Sequence, residues 1–175
     1  MNLYLMRHAN AGVRRGNPTL DAKRGLIKEG KDQCILMARL LSALKVQPEV
    51  IVSSSLKRSL QTAQFVGTEL GYEAKVEVST ALAPDASFAT FQKLIEKYAG
   101  RDDVLFVGHN PNLFQFLGHL ITGNGPAGVR MRKGSIARID MSKHPPLLQW
   151  LIDPRVARNF YASVAKSSRP KTSKK

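Results

Sequence analysis

Short unbroken apolar runs alternate along this chain with longer stretches in which apolar residues return every third or fourth position. Leu3-Tyr4-Leu5-Met6, Val50-Ile51-Val52 and Val104-Leu105-Phe106-Val107 are runs of the kind used by strands covered on both faces. Between them, Cys34, Ile35, Ala38, Leu41 and Leu44 predict a helix over about 28–45, ended by Gln47-Pro48. Leu56, Leu60, Ala63, Val66 and Leu70 predict a second, with Ser53-Ser54-Ser55 offering capping hydroxyls and Gly71 as its stop. A third helix is expected over about 88–98, closed by Gly100. Leu113, Phe114, Leu117, Leu120 and Ile121 predict a fourth, with Asn110 as cap and Pro111 at the first helical position. Segments 75–78, 136–141 and 147–152 read as further strands, the last two joined by a turn containing Pro145-Pro146. The stretch 9–25, with Gly12, Gly16, Pro18 and three arginines, reads as a long loop. Helices alternating with short buried strands predict an α/β fold, a three-layer sandwich with a central, mostly parallel sheet flanked by helices.

Length and charge sharpen this picture in two places. The 175 residues, 43% of them hydrophobic, suffice for one domain, expected over 1–162. The segment 163–175 is basic and apolar-poor and is expected to be a disordered tail. The formal charge of +14 includes five Lys or Arg in the last ten residues, which leaves +9 on the rest of the chain. Such a balance attracts anionic partners without naming one. No segment interleaves exposed aromatics with basic residues as an RNA-binding sheet does, so a nucleic-acid contact is expected only through the tail. The lone Cys34 sits on the apolar face of the first predicted helix and reads as a buried structural thiol. No stretch approaches the length that crosses a bilayer, so neither a membrane nor a leader is expected, and the location expected is the cytoplasm.

The chemistry is concentrated where three of the runs stop. The first ends at Arg7-His8, the second leads through three serines to Arg58, and the third leads to Gly108-His109. In an open α/β sheet the carboxyl ends of the strands border the ligand crevice. Two arginines and two histidines are thus expected on one edge. Neighbouring guanidiniums disfavour a protonated imidazole, so His8 should be neutral near pH 7 with a ring nitrogen free to attack. The same guanidiniums are forked donors suited to phosphate oxygens, and His109 adds a further donor. Arg24 is a second-line candidate for anion contact. Gly25 to Lys31 spells G-x-x-x-x-G-K, but Asp32 stands where a magnesium-binding Ser or Thr belongs and no strand precedes it. His119 and His144 lack spaced partners for zinc, and no cofactor is called for.

Three ordered stretches carry a family resemblance. Leu5-Met6-Arg7-His8, the run Ser53-Ser54-Ser55-Leu56-Lys57-Arg58-Ser59-Leu60-Gln61-Thr62-Ala63, and Val107-Gly108-His109-Asn110-Pro111 resemble the signatures of the histidine phosphatase, or phosphoglycerate mutase-like, superfamily. Arg24-Gly25-Leu26 to Gly30 and Gly134-Ser135-Ile136-Ala137 resemble its SixA-type phosphohistidine phosphatases in particular. The resemblance implies the phosphoglycerate mutase-like fold, His8 as the nucleophile that takes up the phosphoryl group, Arg7, Arg58 and His109 as the rest of the phosphate pocket, and no metal. It further implies that water then hydrolyses the phosphohistidine intermediate.

Three positions depart from the pattern. Ala9 replaces the usual glycine, Leu26-Ile27 replaces Leu-Thr, and no glutamate between the second and third stretches matches the proton donor of many relatives. Asp21 and Asp85 are the remaining candidates for that acid. Its absence favours a phosphoramidate substrate, whose imidazole takes its proton from solution, over an alkoxide that needs a positioned donor. The expectation is a metal-independent phosphohistidine phosphatase acting on a signalling or phosphotransfer protein. The alternatives are a phosphatase for small phosphate esters or anhydrides, or a non-catalytic polyanion-binding domain.

Overall fold

A computed structural model describes residues 1–125 and 127–167. The order of elements is β1 (Asn2–Arg7), α1 (Pro18–Ala22), α2 (Lys28–Ala43), β2 (Val50–Ser53), α3 (Lys57–Leu70), β3 (Glu77–Val78), α4 (Phe88–Lys97), β4 (Asp103–Gly108), α5 (Asn112–Thr122), β5 (Ile136–Asp140), β6 (Leu147–Ile152) and α6 (Pro154–Ser167). They build one six-stranded sheet in the order β3-β2-β4-β1-β5-β6. The pairs β1/β4, β2/β4 and β2/β3 are parallel, and β5 and β6 join antiparallel. The architecture is a mixed sheet with helices on both faces, the three-layer sandwich the sequence predicts.

The apolar runs are explained by burial on both sides of the sheet. Leu3 and Leu5 of β1 point into one core with Val52, Phe106 and the α4 and α5 residues Phe91, Phe116 and Leu117. Tyr4 and Met6 point into the other, with Ile51, Leu105 and the α2 and α3 residues Met37, Leu41 and Val66. Successive residues alternate faces, and since helices cover both, apolar side chains are favoured at every position of these runs. The two cores also show that the chain leaves β1 and β2 for one face of the sheet but leaves β4 for the other. Adjacent strands whose connections diverge open a crevice at their carboxyl ends.

Four boundaries differ from the sequence expectation. The long loop contains α1, a helix of barely more than one turn, capped by Asn17 Oδ1, which accepts from the N–H groups of Thr19 and Leu20, with Pro18 at its first position. The strand expected over 75–78 is only the pair Glu77–Val78. Asn110 does not cap α5: its side-chain amide donates to Met131 O at 2.9 Å, and Pro111 holds the cap position. The last helix, α6, has no counterpart in the sequence expectation and runs past residue 163 to Ser167, into the expected tail; 168–175 lie outside the described residues. Its start is well marked, since Asp153 Oδ1 accepts from the N–H groups of Arg155 and Val156 at 2.7 and 3.1 Å. Ala157 is buried in the core shared with α2 and α3. Among the described residues, no helix is long and apolar enough to cross a membrane.

Candidate active site

Backbone register brings the three strand ends together. Arg7 pairs with Gly108 and Ser53 with Val107, so the residues that follow emerge side by side. His8 N–H donates to Gly108 O and Ser54 N–H to Val107 O, both at 3.0 Å. Beyond the edge, α3 begins at once and carries Arg58 in its first turn. Of the serines expected to cap α3, Ser53 is an internal strut, while Ser54 Oγ accepts from Leu56 N–H at 3.3 Å just ahead of the helix. Ser59 Oγ donates to Val107 O at 2.9 Å and Ser53 Oγ to Ser59 Oγ at 3.1 Å, which fixes α3 to the sheet; N-cap Leu56 has no side-chain cap. Thr62 adds a second strut, accepting from Ala9 N–H at 3.0 Å and donating to Arg58 O at 2.7 Å. One hydroxyl thereby couples the peptide after His8 to the turn that carries Arg58.

The other wall comes from the C-terminal third of the chain. Gly134 N–H donates to Arg7 O and His8 O at 3.1 and 3.2 Å, and Arg7 N–H donates to Ser135 O at 3.0 Å. Gly134 has φ +78°, in the left-handed region, and Pro154 lies against the position a Cβ would take. Gly30 on α2 is needed for a different reason: a Cβ there would run into Asn10 O.

The geometry of His8 selects its tautomer. Nδ1 lies 2.8 Å from Ala9 O. A carbonyl oxygen can only accept, so Nδ1 carries the hydrogen and Nε2 keeps its lone pair. His8 and His109 are 7% and 2% exposed, with ring centroids 5.1 Å apart. Burial, followed by the Arg58, Arg7 and Arg24 charges, pushes His8 down to about 3 despite the opposing hydrogen bond to Ala9. Burial, then His8 and the same arginines, pushes His109 to about 2. Both rings are neutral near pH 7, as the sequence suggested for His8, with burial as the leading cause.

Around the rings stand polar atoms without protein partners. Both ring nitrogens of His109 and the Nε atoms of Arg7 and Arg58 are buried and lack a hydrogen-bond partner among the described residues. Unsatisfied buried polar groups are costly and in native structures call for an explanation, of which an anionic ligand is one. Arg7 and Arg58 are each held by one other nitrogen, Arg7 Nη1 donating to Met131 O and Arg58 Nη1 to Asp21 O, both at 3.0 Å. Arg7, His8, Arg58 and His109 line one cavity of 420 Å³, together with Arg24, Asp21, Arg14 and Lys133. The last of these donates to Asn10 Oδ1 at 2.9 Å. Arg14 and Lys133 were not singled out from sequence; Lys133 carried a signal in its place next to Gly134-Ser135.

The two candidate acids fare differently from the four basic residues. Asp21 reaches the cavity, but its Oδ1 accepts from Arg24 Nε at 2.8 Å and Arg15 N–H at 2.9 Å, and its Oδ2 lies 3.4 Å from Arg58 Nη1. The Arg24 and Arg15 hydrogen bonds hold the carboxyl at about 2, so it is an anion and carries no proton to give. Asp85 is exposed and does not line the cavity, which only its neighbour Pro84 reaches. Arg24 does line it, but its guanidinium is engaged by Asp21 and by Ala11 O and Gly12 O at 2.9 and 3.3 Å. It shapes the loop and adds positive charge.

A neutral imidazole with a free Nε2, set among unsatisfied guanidinium donors at the carboxyl ends of parallel strands, belongs to phosphoryl-transfer enzymes that use histidine. The chain belongs to the histidine phosphatase superfamily and is a phosphatase of that superfamily; the model of its branch 1 matches residues 3–83, and the third signature stretch lies beyond the matched part. An uncharacterised protein of Picosynechococcus sp. is 30% identical over 139 residues, covering 78% of this chain and 82% of the relative. The phosphohistidine phosphatase SixA of Escherichia coli is 28% identical over 128 residues, covering 72% and 78%. The solved structure of the protein histidine phosphatase SixA complexed with tungstate superposes with a TM-score of 0.79 at 25% identity, covering 89% of this chain and 98% of that one.

Proposed function

We propose that this protein removes the phosphoryl group from phosphohistidine carried by another protein, with His8 as the nucleophile and without a metal ion. The observation that carries the reading is the 2.8 Å contact of His8 Nδ1 with Ala9 O, which commits the lone pair to Nε2. Nε2 attacks phosphorus, the substrate P–N bond breaks, and its electron pair leaves with the substrate imidazole, which is protonated from water. Water then attacks the phosphoryl group on His8, giving up a proton as the P–Nε2 bond breaks, and inorganic phosphate departs. Arg7 and Arg58 turn their unpaired Nε–H groups to the equatorial oxygens and stabilise charge in both steps. They supply the fixed positive charge that a divalent cation gives elsewhere. A dianionic phosphoryl group also opposes the push of the arginines on His109 and favours its protonated form, which donates to the same oxygens.

The choice of substrate is supported by Asp21. It is the one carboxylate among the described residues that line the cavity, and it is ionised. A leaving group that needs no positioned acid fits such a site better than an alkoxide. The SixA relative of Escherichia coli and the tungstate complex of SixA point the same way, tungstate being a tetrahedral oxyanion like phosphate.

The test is turnover in EDTA of a phosphohistidine-bearing protein beside a small phosphate ester, with His8→Ala as control. Loss of phosphohistidine that disappears in the variant is the expected result. Turnover of the ester alone would reassign the substrate to small molecules, and silence on both would favour a polyanion-binding domain.

A further inference from the structure

Next to the catalytic cavity, and sharing Arg7 and Lys133 with it, lies a second cavity of 450 Å³. Its walls are the 130–133 segment that leads into β5 and the first two turns of α6. Arg130, Arg132, Arg155 and Arg158 line it beside the two shared cations. The two carboxylates in this wall are already engaged. Asp153 caps α6 and lies 3.5 Å from Arg132 Nε, while Glu29 accepts from Asn10 and Gln33. Arg130, Arg155 and Arg158 are exposed and form no ion pair with a described residue.

This concentration of charge is held in place. Pro154 and Ala157 are buried, so α6 is fixed against the core and Arg155 and Arg158 stand on a firm turn. Lys133 is pushed down by burial and by Arg7 and Arg24, a sign of crowded positive charge at the junction of the two cavities. Like charges gathered without partners repel one another, and an anion that bridges them relieves that cost.

We propose that this second cavity is the docking groove for acidic side chains that flank the phosphohistidine of the protein substrate. The inference rests on the function proposed above and extends it from the reacting group to its surroundings. The groove is continuous with the catalytic cavity through Arg7 and Lys133, so a chain whose phosphohistidine faces His8 lays its neighbouring residues across Arg130, Arg155 and Arg158. A nucleic acid fits less well, because no aromatic ring lies among the described residues that line the groove, and bases bind by stacking on such rings.

The test uses two synthetic peptides, each with one phosphohistidine, flanked by glutamates in one and by serines in the other. At low ionic strength the wild-type chain should turn over the acidic peptide with a kcat/KM ~10-fold higher, expressed in KM, as expected of a few rim charge pairs. In Arg155→Glu/Arg158→Glu the preference should vanish, while the serine peptide, which also reports correct folding, keeps its wild-type rate. Equal turnover of both peptides by the wild type, or a preference that survives in the variant, overturns the groove and leaves the phosphohistidine reading standing. A wild-type chain that hydrolyses 4-nitrophenyl phosphate but neither peptide removes that reading, and this inference with it.

Discussion

The buried histidine pair makes stability depend on pH in a way that can be calculated. In the unfolded chain each imidazole titrates near ~6.5. In the folded chain burial keeps His8 neutral to about 3 and His109 to about 2. Between pH 7 and pH 5 the unfolded chain therefore takes up protons that the folded chain refuses, and stability must fall with acid. Both folded values lie so far below pH 5 that the loss depends only on the unfolded value. It is about 2 kcal/mol for each histidine and about 4 kcal/mol for the pair. Asp21, with its carboxyl held at about 2, surrenders its contribution only below roughly pH 4, outside this window. Urea unfolding in phosphate-free buffer at the two pH values measures the loss. His8→Asn and His109→Asn should each remove about half of it, and the double variant nearly all. A wild-type loss no larger than that of the double variant would refute the claim that these rings are buried and neutral.

Other perturbations test single contacts. Arg58→Ala should cut turnover of a phosphohistidine protein by roughly 10²- to 10³-fold through kcat, the usual cost of deleting one donor to developing charge; an effect confined to KM would assign Arg58 to binding alone. Thr62→Val leaves the buried Ala9 N–H without an acceptor and should destabilise the fold by about 1–3 kcal/mol in denaturant titration, with Thr62→Ser close to wild type. Gly30→Ala should be poorly tolerated, with a melting temperature several degrees lower, because Asn10 O occupies the site of the added methyl. Cys34 is fully buried and its thiol is pushed up to about 12, chiefly by burial, so a thiol reagent should label it only at the rate of unfolding.

The central sheet was legible because burial on both faces leaves a strand no choice but an unbroken apolar run, and the basic residues stood out by interrupting such runs. Short elements were not. The single turn of α1 has no room for a period, so only the Asn17-Pro18 start marks it. In α6 the helical signal is faint because its sequence is basic and few of its described residues are buried, although Asp153-Pro154 is as good a start as any in the chain. Asn110 illustrates a limit of local rules: the residue suits a cap, but Met131, remote in sequence, claims its amide. The same holds for Asp21. Its place in the loop is visible in the sequence, yet its ionised state follows from the hydrogen bonds of Arg24 and Arg15, which only the folded loop brings to its Oδ1. Neither Arg14 nor Lys133 lies in a periodic segment, so nothing local marks Arg14, and only the neighbouring Gly134-Ser135 marks Lys133.

The strand that delivers Arg7 and His8 lies inside the sheet, between β4 and β5. Its neighbours are contributed by Asp103–Gly108 and Ile136–Asp140, so during synthesis residues 2–7 leave the ribosome roughly a hundred residues before either partner exists. His8 cannot be set in its tautomer, nor the arginines gathered around it, until translation has passed β5. A nascent chain that has not yet reached β5 thus lacks the strand pairings that hold Arg7 and His8 in place.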